Sequence, residues 1–147
     1  MLIYLDSCCL NRPFDDQGQA RIQLESAAIL AILEKVVLGK FNLANSSVLQ
    51  YEIQHITDAT RRNGIFHFLS YSLSHQILTP EVQHRATVLH KLGFKQLDAL
   101  HLASAEAIKA DVFLTTDDQI LRRADQNSAL LSIAALNPVQ FSANQNL

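Results

Sequence analysis

The segment Leu2-Ile3-Tyr4-Leu5-Asp6 is the most informative one for the fold. It is an unbroken run of apolar residues that ends in an acid. A short apolar run of this kind is typical of a strand that is buried on both faces, as in a parallel sheet. The run Val112-Phe113-Leu114-Thr115 has the same character and is soon followed by Asp117. The carboxyl ends of parallel strands meet at one edge, so Asp6 and Asp117 are predicted to lie near each other.

Predicted helices separate the strands along the chain. Ile22, Ile29, Leu33 and Val36 recur at helical spacing, and Gly39 can end that helix. The predicted strands cover residues 1–6, 41–45, 112–115 and 130–136. The predicted helices cover residues 21–38, 61–73, 81–92, 96–110 and 118–124, with another beginning at Ser47-Val48-Leu49-Gln50, which resembles a capping box. Residues 11–16 are predicted to be a loop and residues 137–138 a turn. This alternation predicts an α/β fold whose parallel sheet has helices on both faces.

The chain has 147 residues, of which 48% are hydrophobic and 18% charged, and its net charge is −2. This length suits one domain, predicted to cover residues 1–141 and to be followed by a polar, frayed tail at residues 142–147. The sequence predicts no membrane span and no signal peptide. Cys8 and Cys9 are neighbours, which disfavours a bridge between them and fits a reducing cytoplasm. The weakly acidic charge lacks the basic excess that is usual in nucleic-acid binders.

Four acids stand where a predicted strand has just ended or a predicted helix is just beginning: Asp6, Glu52, Asp98 and Asp117. Asp6 and Asp117 follow strands, Glu52 lies one turn into its helix, and Asp98 stands in the first turn of the helix over residues 96–110. Carboxylates that gather in one place repel one another unless a divalent cation neutralises them. The acids therefore predict a metal-dependent site.

Each acid also has an ordinary structural interpretation. Asp6 can cap the turn after its strand, and Asp98 is favoured by the dipole in the first turn of a helix. Glu52 resembles the many solvated glutamates of helices. Asp117 and Asp118 both suit an N-cap position, so one of them is interpreted as ligand or catalyst and the other as cap or outer residue. We favour Asp117 for the first role.

Other polar side chains near the acids have open interpretations. Ser7 and Thr115 offer hydroxyls that can bind a carboxylate, a water or only the backbone. His101 stands three residues after Asp98 and is interpreted as a packed or half-exposed histidine rather than a ligand. Cys8 and Cys9 are interpreted as small buried residues. No His-x-x-x-His pair, glycine-rich phosphate loop or Gly-x-Ser-x-Gly elbow is present in the sequence.

The ordered series of acids with their apolar flanks resembles the PIN domain family over nearly the whole chain. The matching segments are Leu5-Asp6-Ser7-Cys8-Cys9-Leu10-Asn11, Glu52, Leu97-Asp98-Ala99-Leu100-His101-Leu102-Ala103, Leu114-Thr115-Thr116-Asp117-Asp118 and Asn137-Pro138. The chain looks like the single-domain bacterial or archaeal type, which includes VapC-like toxins. The segment Arg12-Pro13-Phe14-Asp15-Asp16 is unlike many toxins of the family and is expected to affect substrate access or dimer contacts.

The resemblance implies a three-layer α/β/α sandwich with a parallel sheet of about five strands. It implies a metal-dependent endoribonuclease, and hard oxygen ligands favour Mg²⁺ or Mn²⁺. Single-stranded RNA is the expected substrate, because an unpaired backbone can enter a narrow acidic cleft. The implied catalytic residues are Asp6, Glu52, Asp98 and Asp117, the metal ligands Asp6, Asp98 and Asp117, and the supporting residues Ser7, Thr115 and Asp118. Candidates for contacts with substrate phosphates are Arg12, Lys95, Arg122 and Arg123.

The family likeness also implies partners. Homodimers are common in the family, and the helices between residues 61 and 92 are candidates for the interface. A toxin would have an antitoxin protein that blocks the cleft. Two rival functions stay open: a PIN-like module that binds RNA or protein without cutting, and a receiver-like phosphotransfer domain. The second would need an acceptor aspartate after a middle strand, where this chain has Asn45-Ser46, and a later lysine, which is missing after the last strand.

Overall fold

The computed structural model describes all 147 residues. The strands are β1 Leu2–Leu5, β2 Asn42–Ser46, β3 Ser74–Gln76, β4 Val112–Leu114 and β5 Ala134–Leu136. The helices are α1 Ser7–Asn11, α2 Ala20–Val37, α3 Ser47–Gln54, α4 Ala59–Leu69, α5 Pro80–Lys91, α6 Gln96–Ala107, α7 Asp118–Gln126 and α8 Pro138–Asn144. The strands form one parallel sheet in the order β3-β2-β1-β4-β5. The predicted α/β fold with a parallel sheet of five strands is confirmed.

Strand β1 lies at the centre of the sheet, between β2 and β4. Ile3, Tyr4 and Leu5 are completely buried, as the apolar run predicts. The chain leaves β1 toward β2 on one side, and β4 joins β1 on the other side. In α/β sheets a crevice forms beyond the carboxyl ends of the strands where the strand order reverses in this way. Asp6, which follows β1, lies at that crevice.

Helix α6 packs against α5 and α3 and brings polar residues to the crevice. Half of its buried residues are alanines, namely Ala99, Ala103 and Ala105. Small side chains let a helix approach its neighbours closely. This close packing fixes the position of Asp98, in the first turn of α6, relative to the sheet.

Near the amino terminus the chain contains two short elements that differ from the predicted loop at residues 11–16. Residues Ser7–Asn11 form α1, and Arg12–Phe14 form a 3₁₀ turn with Pro13 inside it. Helix α1 is too short to produce a periodic pattern. Phe14 packs against Gly64 of α4, where an added Cβ would lie 2.5 Å from the Phe14 ring. The 3₁₀ turn is therefore fixed on α4.

Other differences concern short or polar elements. Strand β3 was not predicted, because Ser-His-Gln has no apolar pattern. The N-cap of α3 is Ser46, one residue before the predicted cap, and its hydroxyl accepts a hydrogen bond from the Leu49 amide. Helix α4 ends at Leu69, and the last strand is confined to Ala134–Leu136, after a 3₁₀ turn.

At the carboxyl terminus, residues 137–138 form the start of a helix rather than a turn. The Asn137 side chain caps α8, and Pro138 occupies its first position, where a missing amide proton costs nothing. Helix α8 reaches Asn144, and Ser142 is buried. The prediction of a frayed tail from Ser142 is therefore wrong, and the predicted boundary after residue 141 falls inside a helix. None of the eight helices combines the length and the apolar character that crossing a bilayer requires.

Candidate functional site

Asp6 is held from both sides by hydrogen-bond donors. It is 4% exposed and caps α1, with Oδ1 accepting a bond of 2.8 Å from the Ser7 amide. Oδ2 accepts a bond of 2.9 Å from the Thr115 hydroxyl, and the Cys8 thiol lies 3.3 Å from the same oxygen. The Asp6 amide donates to the Leu114 carbonyl across to β4. These bonds fix the direction of the carboxylate at the crevice.

Asp117 is connected to Asp6 through Thr115. The Asp117 amide donates to the Thr115 hydroxyl at 3.1 Å, and that hydroxyl in turn donates to Asp6. Oδ1 of Asp117 caps α7 by accepting bonds from the Gln119 and Ile120 amides. The capping interpretation of Asp117 is therefore correct for this oxygen, while Oδ2 has no protein donor. One carboxylate can thus fix the helix and still offer an oxygen to a ligand.

Asp98 lies half-buried in the first turn of α6 and makes no side-chain hydrogen bond. Burial raises the pKa of Asp98 to about 6, and the negative charges of Asp6 and Asp117 add to this effect. The neighbouring His101 and Lys95 oppose this rise in the pKa of Asp98. The three acids therefore act on one another electrostatically, as expected for carboxylates that gather at one sheet edge.

Glu52 approaches the site from α3 and is connected to α1 and α6. Its Oε2 accepts a short hydrogen bond from the Ser7 hydroxyl, and its Oε1 lies 2.7 Å from His101 Nε2. Burial alone would raise the pKa of Glu52, but the hydrogen bonds from His101 and Ser7 outweigh it and lower that pKa. Glu52 is therefore ionised at neutral pH, and both of its oxygens are oriented.

The chemistry of these donors suits a hard divalent cation, since the acids supply carboxylate oxygens and repel one another in its absence. No group of three or more His, Cys, Asp or Glu side chains is arranged so that it could hold a metal ion. Mg²⁺ commonly keeps several waters and uses only one or two protein carboxylates. The oxygens of Asp6, Asp98 and Asp117 are of the chemical type that such an ion binds, although the three side chains are not placed to hold it together.

A groove lies beside Asp98 and is lined by basic and amide side chains. Lys95, Gln119 and Arg123 line it together with Asp98, and a second polar groove on α7 shares Gln119 and Arg123 and includes Arg122. Gly93 has a φ of +109°, and an added Cβ there would lie 2.9 Å from the guanidinium carbon of Arg123. The absence of a side chain at Gly93 therefore leaves room for the Arg123 guanidinium beside the backbone at the groove.

The predicted phosphate contacts differ in what they touch. Arg12 Nη2 lies 2.8 Å from Glu25, and Arg12 Nη1 lies 3.3 Å from Asp15, so its guanidinium is engaged in the protein. Lys95, Arg122 and Arg123 are exposed and have no ion-pair partner. Of the four predicted phosphate contacts, the three without an ion-pair partner are thus the ones that line the two grooves.

Asp118 is exposed and forms a two-bonded pair with Arg21, at 2.8 and 2.9 Å. The hydrogen bond with Arg21 lowers the pKa of Asp118. Arg21 also donates to the Thr116 carbonyl at 3.0 Å. Asp118 therefore fixes the connection between β4 and α7 beside Asp117, in keeping with an outer role.

Two features of this region were not predicted from the sequence. His101 is 1% exposed, which agrees with the interpretation as a packed histidine, but its bonds with Glu52 and Tyr4 were not predicted. Its position three residues after Asp98 was a usable signal, since such residues share a helix face. Glu25 is 2% exposed and binds Arg12 from a distant turn, which no local pattern indicates.

Comparison with known proteins gives a likeness in fold. No protein-family model matches the chain, and no curated protein matches it in sequence. Among solved structures, a chain in the crystal structure of VapBC2 from Rickettsia felis, bound to a DNA fragment from their promoter, matches with a TM-score of 0.55. The match is 14% identical in sequence and covers 93% of this chain and 98% of the other. At this identity the likeness shows a shared fold.

Proposed function

We propose that this protein is a PIN-like endoribonuclease that depends on Mg²⁺ or Mn²⁺ and cuts single-stranded RNA. The observation that carries the proposal is that Thr115 connects Asp6 and Asp117 at the carboxyl edge of the sheet, where both acids also raise the pKa of the half-buried Asp98. Perturbed carboxylates in a crevice are typical of functional sites. The groove of exposed cations beside Asp98 supplies a surface that suits a phosphate chain.

Each residue of the site has a role in this proposal. Asp6, Asp98 and Asp117 would hold the cation, which when bound supplies Lewis-acid stabilisation of the charge on the phosphodiester. Glu52 is ionised and oriented, so it is suited to accept a proton from the attacking water. Lys95 positions the phosphate next to Asp98.

The biological setting is part of the same proposal. We infer that the protein acts in the cytoplasm as the toxin of a toxin-antitoxin pair, with an antitoxin protein as its partner. The fold shared with a chain of the VapBC2 complex supports this inference. A homodimer is also proposed, because Leu73, Ile77 and Leu78 expose apolar surface within residues 61–92.

Removal of divalent cations tests the enzymatic proposal. Labelled single-stranded RNA is expected to be cut in Mn²⁺, with at least about a 10³-fold fall in rate in EDTA and recovery when excess Mn²⁺ is restored. A double-stranded RNA of the same sequence serves as control and is expected to be cut far more slowly. Cleavage that persists in EDTA would reject metal dependence. RNA that is bound but never cut would favour the non-enzymatic binding module.

The groove makes a separate prediction about substrate binding. Arg122→Gln and Arg123→Gln are each expected to raise KM for RNA by roughly 3- to 10-fold, leave kcat nearly unchanged and reduce the salt dependence of binding by about one ion. Lys40→Gln is the matched control, because Lys40 is exposed just before β2, at the opposite edge of the sheet. Equal effects of all three variants would show that net charge, rather than the groove, attracts the RNA.

A further inference from the structure

A chain of buried hydrogen bonds ends on Glu52. Ser46 Oγ lies 2.7 Å from the Tyr4 hydroxyl, which lies 2.7 Å from His101 Nδ1. His101 Nε2 lies 2.7 Å from Glu52 Oε1. Ser46 and Tyr4 are completely buried, and His101 is 1% exposed. These hydrogen bonds connect residues from β1, β2, α3 and α6. Of the four residues, only Glu52 is partly exposed to solvent.

The donors and acceptors determine where the protons lie. An ionised Glu52 carboxylate only accepts, so His101 Nε2 carries a proton. In the neutral ring Nδ1 accepts from the Tyr4 hydroxyl, and the Tyr4 oxygen accepts from Ser46. The Ser46 oxygen accepts from the Leu49 amide at 3.0 Å, so every donor in the chain has an acceptor.

A doubly protonated His101 would reverse the direction of the hydrogen bonds from His101 to Ser46. Nδ1 would then donate to Tyr4, and Tyr4 would donate to Ser46, which leaves the buried Ser46 proton without an acceptor. Buried donors without partners are unfavourable. The buried donors are therefore all satisfied when His101 carries its proton on Nε2 and donates it to Glu52.

The packing around the chain makes it rigid. The Tyr4 ring stacks on Phe113 with the centroids 5.5 Å apart and meets the His101 ring edge-on at 5.9 Å. On the other side of Glu52, Ser7 donates to the second carboxylate oxygen. Buried polar networks whose members are all satisfied fix a single geometry. A purely structural network has no need to end on a half-buried carboxylate that Ser7 connects to Asp6.

We propose that Tyr4 and His101 are positioning residues that hold the Glu52 carboxylate in the orientation needed to accept the proton of the attacking water. This inference rests on the ribonuclease function proposed above. Tyr4 and His101 do not touch the substrate in this proposal. They act through Glu52, in the way that outer hydrogen-bond partners orient the reacting groups of other enzymes.

Tyr4→Phe tests the proposal with the loss of one oxygen, because the ring that stacks on Phe113 is retained. We expect kcat for RNA cleavage to fall about 10-fold or more with little change in KM. In a Glu52→Gln background the same change is expected to cause no further fall, since it acts through the Glu52 carboxylate. Tyr71→Phe is the control, because Tyr71 is 40% exposed. All rates are measured at a temperature where circular dichroism shows each variant fully folded.

Equal effects of Tyr4→Phe with and without Glu52→Gln would overturn the proposal, because the tyrosine would then act independently of Glu52. A second measurement does not depend on activity. Nitrogen-15 NMR of labelled histidine is expected to show His101 neutral with its proton on Nε2, and to show a changed Nδ1 signal in Tyr4→Phe. A proton found on His101 Nδ1 would overturn the proposed pattern of hydrogen bonds. If the wild-type protein cuts no RNA, the ribonuclease proposal fails, and the NMR result alone decides whether Glu52 is held by this chain.

Discussion

Asp98→Asn is expected to abolish RNA cleavage and, at neutral pH, to make the protein more stable. The loss of activity should be at least about 10³-fold, because an amide cannot supply the charge that a divalent cation requires. The gain in stability has a separate cause. Asp98 is half-buried beside the negative charges of Asp6 and Asp117, and an uncharged side chain of the same shape removes that repulsion.

The pH dependence of this gain follows from the direction of the pKa shift. The pKa of Asp98 rises from 3.8 to about 6 on folding. A raised pKa contributes stability that is fully present below the unfolded value and is lost as the pH rises through the folded value. Asn keeps the neutral state at every pH, so its advantage should be absent near pH 3.5, grow between pH 4 and 6, and be constant above about pH 7. Because Asp98 is partly exposed and screened by solvent, we expect a gain of about 1 kcal/mol.

Urea unfolding at several pH values, with and without Mn²⁺, measures both halves of this prediction. Excess Mn²⁺ should stabilise the wild-type protein and leave Asp98→Asn nearly unchanged, because only the native site binds the ion. Asp125→Asn is the control for the loss of an exposed acid on α7. An Asp98→Asn protein that cleaves RNA, or that is less stable than wild type at pH 7.5, would contradict our assignment of Asp98.

The positions of the acids were predictable because each depends on a local pattern. Asp6 follows an apolar run, and Asp98 stands in the first turn of an alanine-rich helix, so the fold follows from burial and periodicity. The partners of the acids were not predictable, because they come from remote parts of the chain. The contact of His101 with Glu52 joins residues 49 positions apart, and the contact of Asn137 with Glu25 joins residues 112 positions apart.

Glu25 shows most clearly how much depends on such remote contacts. It looks like an ordinary residue of α2, yet Oε1 accepts bonds from Arg12 and Oε2 accepts a bond of 2.7 Å from Asn137. Arg21 Nε lies 3.3 Å from the same Oε2, and the Arg21 guanidinium also forms an ion pair with Asp118. One buried carboxylate thus connects the 3₁₀ turn, α2 and the capping residue of α8. Through Arg21 it also reaches the loop that carries Asp117.

Glu25→Ala is expected to lower the free energy of unfolding by about 3 kcal/mol or more. Removal of one member of a buried ion pair leaves the partner charge uncompensated, and such changes typically cost 3–5 kcal/mol. Arg12 would carry most of this penalty, because it is the less exposed of the two arginines and would keep only its 3.3 Å contact with Asp15, whereas Arg21 would keep two bonds to Asp118. Glu34→Gln is the matched control on the same helix, since Glu34 is exposed, and it should change stability by less than about 0.5 kcal/mol. Urea denaturation of both variants gives the comparison.

A double variant shows whether Glu25→Ala destabilises the protein chiefly by leaving the Arg12 charge without its partner. If the stranded Arg12 charge causes the loss, Glu25→Leu combined with Arg12→Met should recover at least about half of it, because the two side chains can then pack as apolar groups. If the bond from Asn137 to Glu25 dominates instead, the double variant should be as unstable as Glu25→Ala. That second outcome would mean that the capping residue of α8, rather than the arginines, requires an acid at position 25.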